Sequence, residues 1–165
     1  MASRKTLARY SSLMLSALST GVFFGTRASL GPSTKDFAPA TYVEVQQATI
    51  RNLRPVMGVL LPGAVAANMV VLALSGEERR SPAFALTLTG LGSQLLALLL
   101  TGSIELPINA QVMTWSPENP PPGWEALRDR WDAVHTARTA STVAGLGCLL
   151  AAALAPLQQS ANDQP

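Results

Sequence analysis

The side chains best suited to chemistry are concentrated in one stretch near the C-terminus, residues 107–141. This stretch contains the only histidine of the chain and all three tryptophans. Four of its side chains follow one another at intervals of three, four and three residues: Arg128, Trp131, His135 and Arg138. On an α-helix this spacing places them on one stripe. An imidazole between guanidinium groups is suited to moving a proton and to stabilising an anion.

The position of this stripe favours a functional role. An apolar run begins just past His135, and ionisable groups at the mouth of a membrane helix are costly to keep there. The alternative is anchoring at the lipid headgroups, where tryptophan and arginine are common. Anchoring accounts well for Trp124 and Arg130. It accounts less well for His135 and Arg138, which lie deeper, so we expect the stripe to face inward.

Four apolar runs indicate a membrane protein. Of the 165 residues, 48% are hydrophobic and 13% are charged, whereas soluble domains have about 25% charged residues. The runs are residues 11–30, 55–74, 83–104 and 139–157, and Arg27 is the one charged residue within them. About 20 apolar residues cross a bilayer, whereas the helices of a soluble bundle would need a polar face.

We therefore predict an all-α fold, a four-helix transmembrane bundle formed by a single domain, residues 1–165. The predicted spans are approximately residues 7–30, 55–75, 82–106 and 133–156. A polar connector follows the first span, and a proline-rich loop precedes the fourth.

Two connections leave alternatives open. Residues 41–53 have helical character, with Glu44, Gln47 and Arg51 on one face. They would form an interfacial helix or an extension of the second span, and Glu44 and Arg51 would be functional or a solvated pair of opposite charges. From Trp124 onward the pattern predicts one long helix or a short surface helix that leads into the fourth span.

Several residues inside the spans are expected to shape the bundle. Pro55 would open the second span, and Pro62-Gly63 would kink it. Asn68 is expected to bond a neighbouring helix, and Gly21 and Gly25 to pack against one.

The third span ends with polar residues. Glu105 and Asn109 are four residues apart and would share a face unless Pro107 distorts that turn. The Glu105 carboxylate would either reach the headgroups or point inward.

Composition excludes several classes of function. The net charge of +2, without a basic run that contains aromatic residues, argues against a nucleic-acid partner. Cys148 is the only cysteine and cannot form an internal disulfide. Phosphate-binding loops, dinucleotide fingerprints and zinc spacings are all missing from the sequence.

The N-terminus is expected to be a retained helix. Basic residues precede the first apolar run, as in a secretory signal, but Thr26-Arg27-Ala28 is a poor cleavage site. The same basic residues, together with Arg79 and Arg80, favour a cytoplasmic N-terminus. Four spans would return the C-terminus to the cytoplasmic side of the cell membrane. Arginines on the opposite side weaken this orientation signal: Arg51, Arg54, Arg128 and Arg130.

The stretch near the C-terminus contains a set of short motifs: Pro107-Ile108-Asn109, Trp115, the proline-rich loop, Leu127-Arg128, Arg130-Trp131, His135 and Arg138-Thr139. In these motifs it resembles the anthrone oxygenase-like family of small four-helix membrane proteins. Characterised relatives oxidise anthrones to anthraquinones, and most other members have no assigned substrate. The resemblance implies a hydrophobic phenolic substrate, with O₂ as co-substrate.

That chemistry does not strictly require a metal or a flavin, because a deprotonated anthrone reduces O₂ directly. His135 would act as the base, since free imidazole titrates near neutral pH. Arg138 or Arg128 would stabilise the oxyanion, and Asn109 would orient the carbonyl or peroxide. Trp115 and Trp131 would stack on the rings. Further residues expected to bind substrate are Glu44, Gln47 and Glu105.

Two other functions remain open from the sequence. A metal-dependent oxidase would use His135 with Glu44 and Glu105, although there is no second histidine. A non-catalytic membrane protein, such as a transport accessory or a subunit of a complex, would need only the bilayer and a partner. The oligomeric state is left open.

Overall fold

The computed structural model describes residues 2–76 and 79–162, and in these residues the regular structure is helical throughout. The all-α prediction is therefore confirmed. The elements are α1 (Ala2–Ser29), α2 (Pro39–Leu74), α3 (Pro82–Leu100), a π-helical turn (Thr101–Glu105), α4 (Leu106–Val112) and α5 (Trp124–Asn162).

Three helical segments of the described chain are long and apolar enough to cross a membrane: Pro39–Leu74, Pro82–Val112 and Trp124–Ala155. Helix α1, which contains the first predicted span, is not among them. Hydroxyl side chains interrupt its apolar run, and several of them are buried: Ser12, Ser16, Ser19 and Thr20. Their polarity lowers the hydropathy of α1 below that of the other long helices.

The four long helices form a ring. α1 packs against α2 and α5, and α3 also packs against α2 and α5. Where α3 crosses α5, a Cβ atom added to Gly90 would lie 2.6 Å from the Leu149 side chain. A Cβ on Gly145 would lie 2.6 Å from Cβ of Ser93. The two glycines thus let α3 and α5 approach closely.

Side-chain hydrogen bonds join α1 to α2. Ser12 donates to the Asn68 carbonyl oxygen at 2.8 Å, and the Asn68 amide donates to Ser16 at 3.2 Å. The prediction for Asn68 is confirmed. Gly21 and Gly25 do not pack as predicted, because no described atom lies within 4 Å of a Cβ built on either of them.

Helix α2 extends well beyond the predicted second span. It begins at Pro39 and runs through both Pro55 and Pro62. No helix begins at Pro55, and of the two alternatives for residues 41–53 the extension of the second span is the one observed. Neither proline ends the helix, because a membrane helix held by its neighbours tolerates the lost hydrogen bond.

A π-helical turn joins α3 to α4. The backbone N–H of Leu106 donates to the carbonyl of Thr101, five residues earlier. Pro107 follows this turn; a regular α-helix would bring its ring against the carbonyl of Ser103, and the wider turn relieves that clash. The helical path therefore continues to Val112, beyond the predicted end at residue 106, with Glu105 buried at the end of the turn.

The proline-rich loop precedes α5, as predicted. Gly123 takes a positive φ of 78° at the last turn before the helix, a conformation that favours glycine. The Ser116 hydroxyl donates to Glu118 and so lowers the pKa of that exposed carboxyl. Of the two alternatives for the segment after Trp124, one long helix is the one observed.

Candidate functional site

A cavity of about 650 Å³ lies between the four long helices and α4. Most of its wall is apolar, with polar side chains concentrated where α5 faces the π-helical turn. The residues that line it from α2 are Gln46, Thr49, Ile50, Leu53, Arg54, Met57, Gly58, Leu61 and Pro62. The other helices contribute Val22, Phe23, Thr26, Leu98, Thr101, Glu105, Leu106, Asn109, Ala110, Met113, Trp131, His135 and Arg138.

The cavity is open on one side. Exposed residues line it on two helices, Arg54 and Gly58 on α2 and Leu106 and Ala110 on α4, and the exposed Met113 follows directly after α4. These helices belong to segments that are apolar enough to cross a membrane. An opening between them is bordered mainly by apolar side chains, so it suits a hydrophobic molecule.

Three ionisable side chains meet at the cavity wall. Glu105 is 1% exposed, His135 2% and Arg138 8%. Arg138 forms an ion pair with Oε2 of Glu105, and its Nη2 lies 2.9 Å from Nδ1 of His135. His135 and Arg138 are three residues apart on α5, so one face of this helix presents both groups to the carboxylate. Buried charges need such pairing, because burial removes their hydration.

The geometry determines which nitrogen of neutral His135 carries the proton. A guanidinium group donates hydrogen bonds and has no acceptor. The Arg138 Nη2–H therefore donates to Nδ1, and the proton of the neutral imidazole sits on Nε2. This nitrogen has no protein partner in the described chain, and His135 lines the cavity. The imidazole thus offers the cavity a hydrogen-bond donor.

Glu105 offers the complementary group. Its Oε2 is paired with Arg138, whereas Oε1 is buried without a hydrogen-bond partner among the described residues. Oε1 lies 3.6 Å from Nδ1 of His135, too far for a hydrogen bond. A carboxylate with one oxygen held by a cation and the other unoccupied can accept a proton from a molecule in the cavity.

Neighbouring side chains hold Arg138 in place. Nη1 donates to the Thr101 hydroxyl at 2.8 Å, and this hydroxyl donates in turn to the Ala97 carbonyl. Cζ lies 4.1 Å from the ring centroid of Phe23, a cation–π distance. The π-helical turn and α1 therefore fix the guanidinium from two directions.

Trp131 and Asn109 form an adjoining aromatic and polar wall. The indole stacks on the His135 ring, with centroids 4.7 Å apart and an interplanar angle of 14°. Its Nε1–H donates to the Asn109 carbonyl oxygen at 3.0 Å. This leaves the NH₂ group of Asn109 and the second lone pair of that oxygen for a ligand.

The structure brings five of the nine predicted site residues to the cavity: Asn109, Trp131, His135, Arg138 and Glu105, which points inward. Four others do not line it: Glu44, Gln47, Trp115 and Arg128. The Arg128 guanidinium lies over the Trp124 ring, 5.1 Å from its centroid, and its Nε–H donates a hydrogen bond to Oδ1 of Asp129.

The other three residues are exposed or make structural contacts outside the cavity. Glu44 is exposed on α2. Gln47 donates to the carbonyls of Val112 and Trp115 and so ties α2 to the end of α4. The Trp115 indole packs against buried clusters that contain Tyr42 and Ile50.

Among the cavity residues that the sequence did not point to are Phe23, Gln46 and Thr101. Phe23 and Thr101 lie in apolar runs, where nothing in the sequence separates them from ordinary packing residues. Gln46 stands beside Gln47 in the connector. The sequence signal for Gln46 was its position four residues before the apolar Ile50, because residues four apart share one face of a helix.

The described residues do not assemble the metal site that the alternative of a metal-dependent oxidase would use. No three His, Cys, Asp or Glu side chains within residues 2–76 and 79–162 are grouped so that they could hold a metal ion. Glu44 in particular does not join Glu105 and His135 at the cavity wall.

Comparison with known proteins identifies the family to which the chain belongs. No curated protein and no protein of solved structure matches the chain. The family model described as anthrone oxygenase matches residues 46–148, more than half of the chain. This range includes the ionisable side chains of Glu105, His135 and Arg138, together with Asn109 and Trp131. The chain therefore belongs to the anthrone oxygenase family.

Proposed function

We propose that the protein is a membrane oxygenase that uses O₂ to oxidise an anthrone-like phenolic substrate to the quinone. The observation that carries the proposal is the unpartnered Oε1 of Glu105 at the wall of a largely apolar cavity, with Arg138 and His135 beside it. Burial keeps water from competing for the carboxylate, and the apolar wall suits a flat, oily molecule.

In the first step, Glu105 Oε1 takes a proton from the acidic ring carbon opposite the substrate carbonyl. The negative charge moves from the carboxylate to the substrate oxygen, so the net charge of the site does not change. Arg138 remains positive beside the new enolate, and His135 Nε2–H is available to donate to its oxygen. Donors already aimed at a developing oxyanion lower the barrier without reorganisation. The structure thus favours Glu105 as the base and His135 as a donor, the reverse of the role that the sequence had indicated for His135.

In the second step, the enolate passes its electrons to O₂ and a carbon–oxygen bond forms at the deprotonated carbon. The peroxide takes up the proton held by Glu105. Loss of the remaining hydrogen on that carbon, with cleavage of the O–O bond, leaves a carbonyl group and releases water. One O₂ is consumed, with one of its atoms in the quinone and the other in water. The substrate supplies all four electrons.

The same proposal includes the membrane arrangement. Helix α1 would cross the membrane together with the three segments that are able to do so, because it packs along both α2 and α5, which lie in two of those segments. Both termini would lie on the cytoplasmic side of the cell membrane. Substrate would reach the cavity from the bilayer through the opening between α2 and α4.

The test uses the full chain in lipid nanodiscs, an anthrone and ¹⁸O₂. Oxygen consumption, quinone absorbance and mass spectrometry are followed against empty nanodiscs, because anthrones also oxidise slowly alone. We expect protein-dependent turnover with one ¹⁸O atom per quinone and no accumulated hydrogen peroxide. Turnover no faster than in empty nanodiscs, for a protein whose fold is intact, would overturn the proposal.

A further inference from the structure

Gln46 is a buried polar residue that contributes to the cavity wall without a structural task of its own. It is 4% exposed, it lines the cavity, and its Nε2 lacks a hydrogen-bond partner in the part of the chain that the structure describes. Buried amide groups are nearly always hydrogen-bonded in native proteins. An unpartnered one at a cavity wall is therefore placed to bond a ligand.

The adjacent Gln47, in contrast, makes hydrogen bonds that hold α2 against the end of α4. Its Nε2 donates to Val112 at 3.0 Å and to Trp115 at 2.9 Å, both backbone carbonyls at the end of α4. These two bonds satisfy the donor capacity of that amide nitrogen. Gln46 lies on another face of the helix, where it lines the cavity and does not bond a backbone carbonyl of α4.

The two bonds also locate Gln46 relative to the ionisable cluster. They place this part of α2 beside Val112, which lies seven residues after Glu105. At 1.5 Å per residue, seven residues correspond to about 10 Å along the bundle axis. Gln46 and Glu105 thus line one cavity at different levels, so a flat three-ring molecule with its central ring at Glu105 can extend an outer ring toward Gln46.

We propose that the Gln46 amide binds an oxygen substituent on the outer ring of the substrate, remote from the carbon that reacts at Glu105. This inference rests on the proposed function and identifies a residue that determines specificity. The amide NH₂ donates to a hydroxyl or carbonyl oxygen, and the amide oxygen accepts from a hydroxyl. Gln46 therefore selects oxygenated polycyclic compounds over bare aromatic ones.

The experiment measures binding, so it does not require turnover. The full chain in nanodiscs is titrated with two quinones, alizarin, which has two hydroxyl groups on one outer ring, and unsubstituted anthraquinone. Binding is followed by quenching of tryptophan fluorescence, since Trp131 lines the cavity. We expect the wild type to bind alizarin about tenfold more tightly, as one or two good hydrogen bonds would give.

In Gln46→Leu the preference for alizarin should fall to within about twofold of unity, chiefly through weaker binding of alizarin. The matched control is Thr49→Val, on the same helix and the same cavity wall. The Thr49 hydroxyl is already bonded to the Val45 carbonyl, so this variant should keep the preference. If Gln46→Leu is not obtained folded, Gln46→Met provides the same comparison with an unbranched side chain.

The results divide clearly. A preference that survives in Gln46→Leu or Gln46→Met overturns the proposal, as does an equal loss of affinity for both quinones. Failure of the folded wild type to bind either quinone also overturns it. A wild type that prefers alizarin through Gln46 but does not oxidise an anthrone would support the binding role and count against the oxygenase function alone.

Discussion

Nη2 of Arg138 lies 2.9 Å from Nδ1 of His135, and the guanidinium can only donate this bond. The residue that sequence reasoning selects as a base therefore faces the cavity with its N–H when it is neutral. Glu105 also lines the cavity, and its Oε1 has no hydrogen-bond partner among the described residues. The contact between Arg138 and His135 thus separates the roles of acceptor and donor in the site.

The first prediction concerns the carboxylate. Glu105→Gln should lower the turnover of an anthrone by about 10²–10⁴-fold, the usual contribution of a general base, because the amide cannot take up the proton. The matched control is Glu44→Gln, which removes an exposed carboxylate outside the cavity and should leave turnover unchanged. Initial rates in nanodiscs measure both. Turnover in Glu105→Gln within a factor of about three of wild type would rule out Glu105 as the base.

The second prediction separates a donor from a base at position 135. His135→Ala removes the Nε2–H and should lower turnover by about 10²–10³-fold, the cost of losing one donor to an oxyanion. His135→Gln keeps an N–H donor of similar reach and should recover part of that loss. The comparison of the two rates is the measurement. If His135 were the base, Gln would be as inactive as Ala, and Glu105→Gln would retain activity.

The third prediction concerns access from the side. Gly58 borders the opening on α2, and a Cβ built there meets no described atom within 4 Å. Gly58→Phe should therefore fold and fill the opening, with kcat/KM for an anthrone lowered by at least about tenfold, because a substrate displaced from its reacting position loses rate steeply. The control is Val59→Phe, since Val59 is 70% exposed and is not part of the cavity wall. Equal rates for the two variants would argue for another access route.

The fourth prediction tests the crossing of α3 and α5. Arg138 lies on α5, and its partner Glu105 lies in the π-helical turn that follows α3. Gly145→Val introduces a Cβ 2.6 Å from that of Ser93 and should destabilise the bundle by about 1–3 kcal/mol. Gly147→Val is the control two residues later, where an added Cβ meets nothing within 4 Å in the described structure. Thermal unfolding in detergent should show a lower midpoint for Gly145→Val alone. Equal midpoints would mean that this crossing is looser than the structure indicates.

The sequence was sufficient to predict the helical class, the polar stretch at the C-terminal end and the family. Apolar runs of about 20 residues predict membrane helices by composition alone, and the spacing of Trp131, His135 and Arg138 predicts that they share one face. Both features are local, so they can be recognised without knowing what packs against the helix.

Only the tertiary structure decided which groups meet. Arg128 lies on the predicted stripe but packs on Trp124 at the outer end, because one helix face spans more length than one cavity. Glu105 turns inward through a π-helical turn whose cause, Pro107, is visible in the sequence but whose direction is not. Gln46 reaches the cavity while Gln47 bonds the backbone of α4. Such outcomes depend on the rotation of each helix against its neighbours, which is set by contacts between residues far apart in the chain.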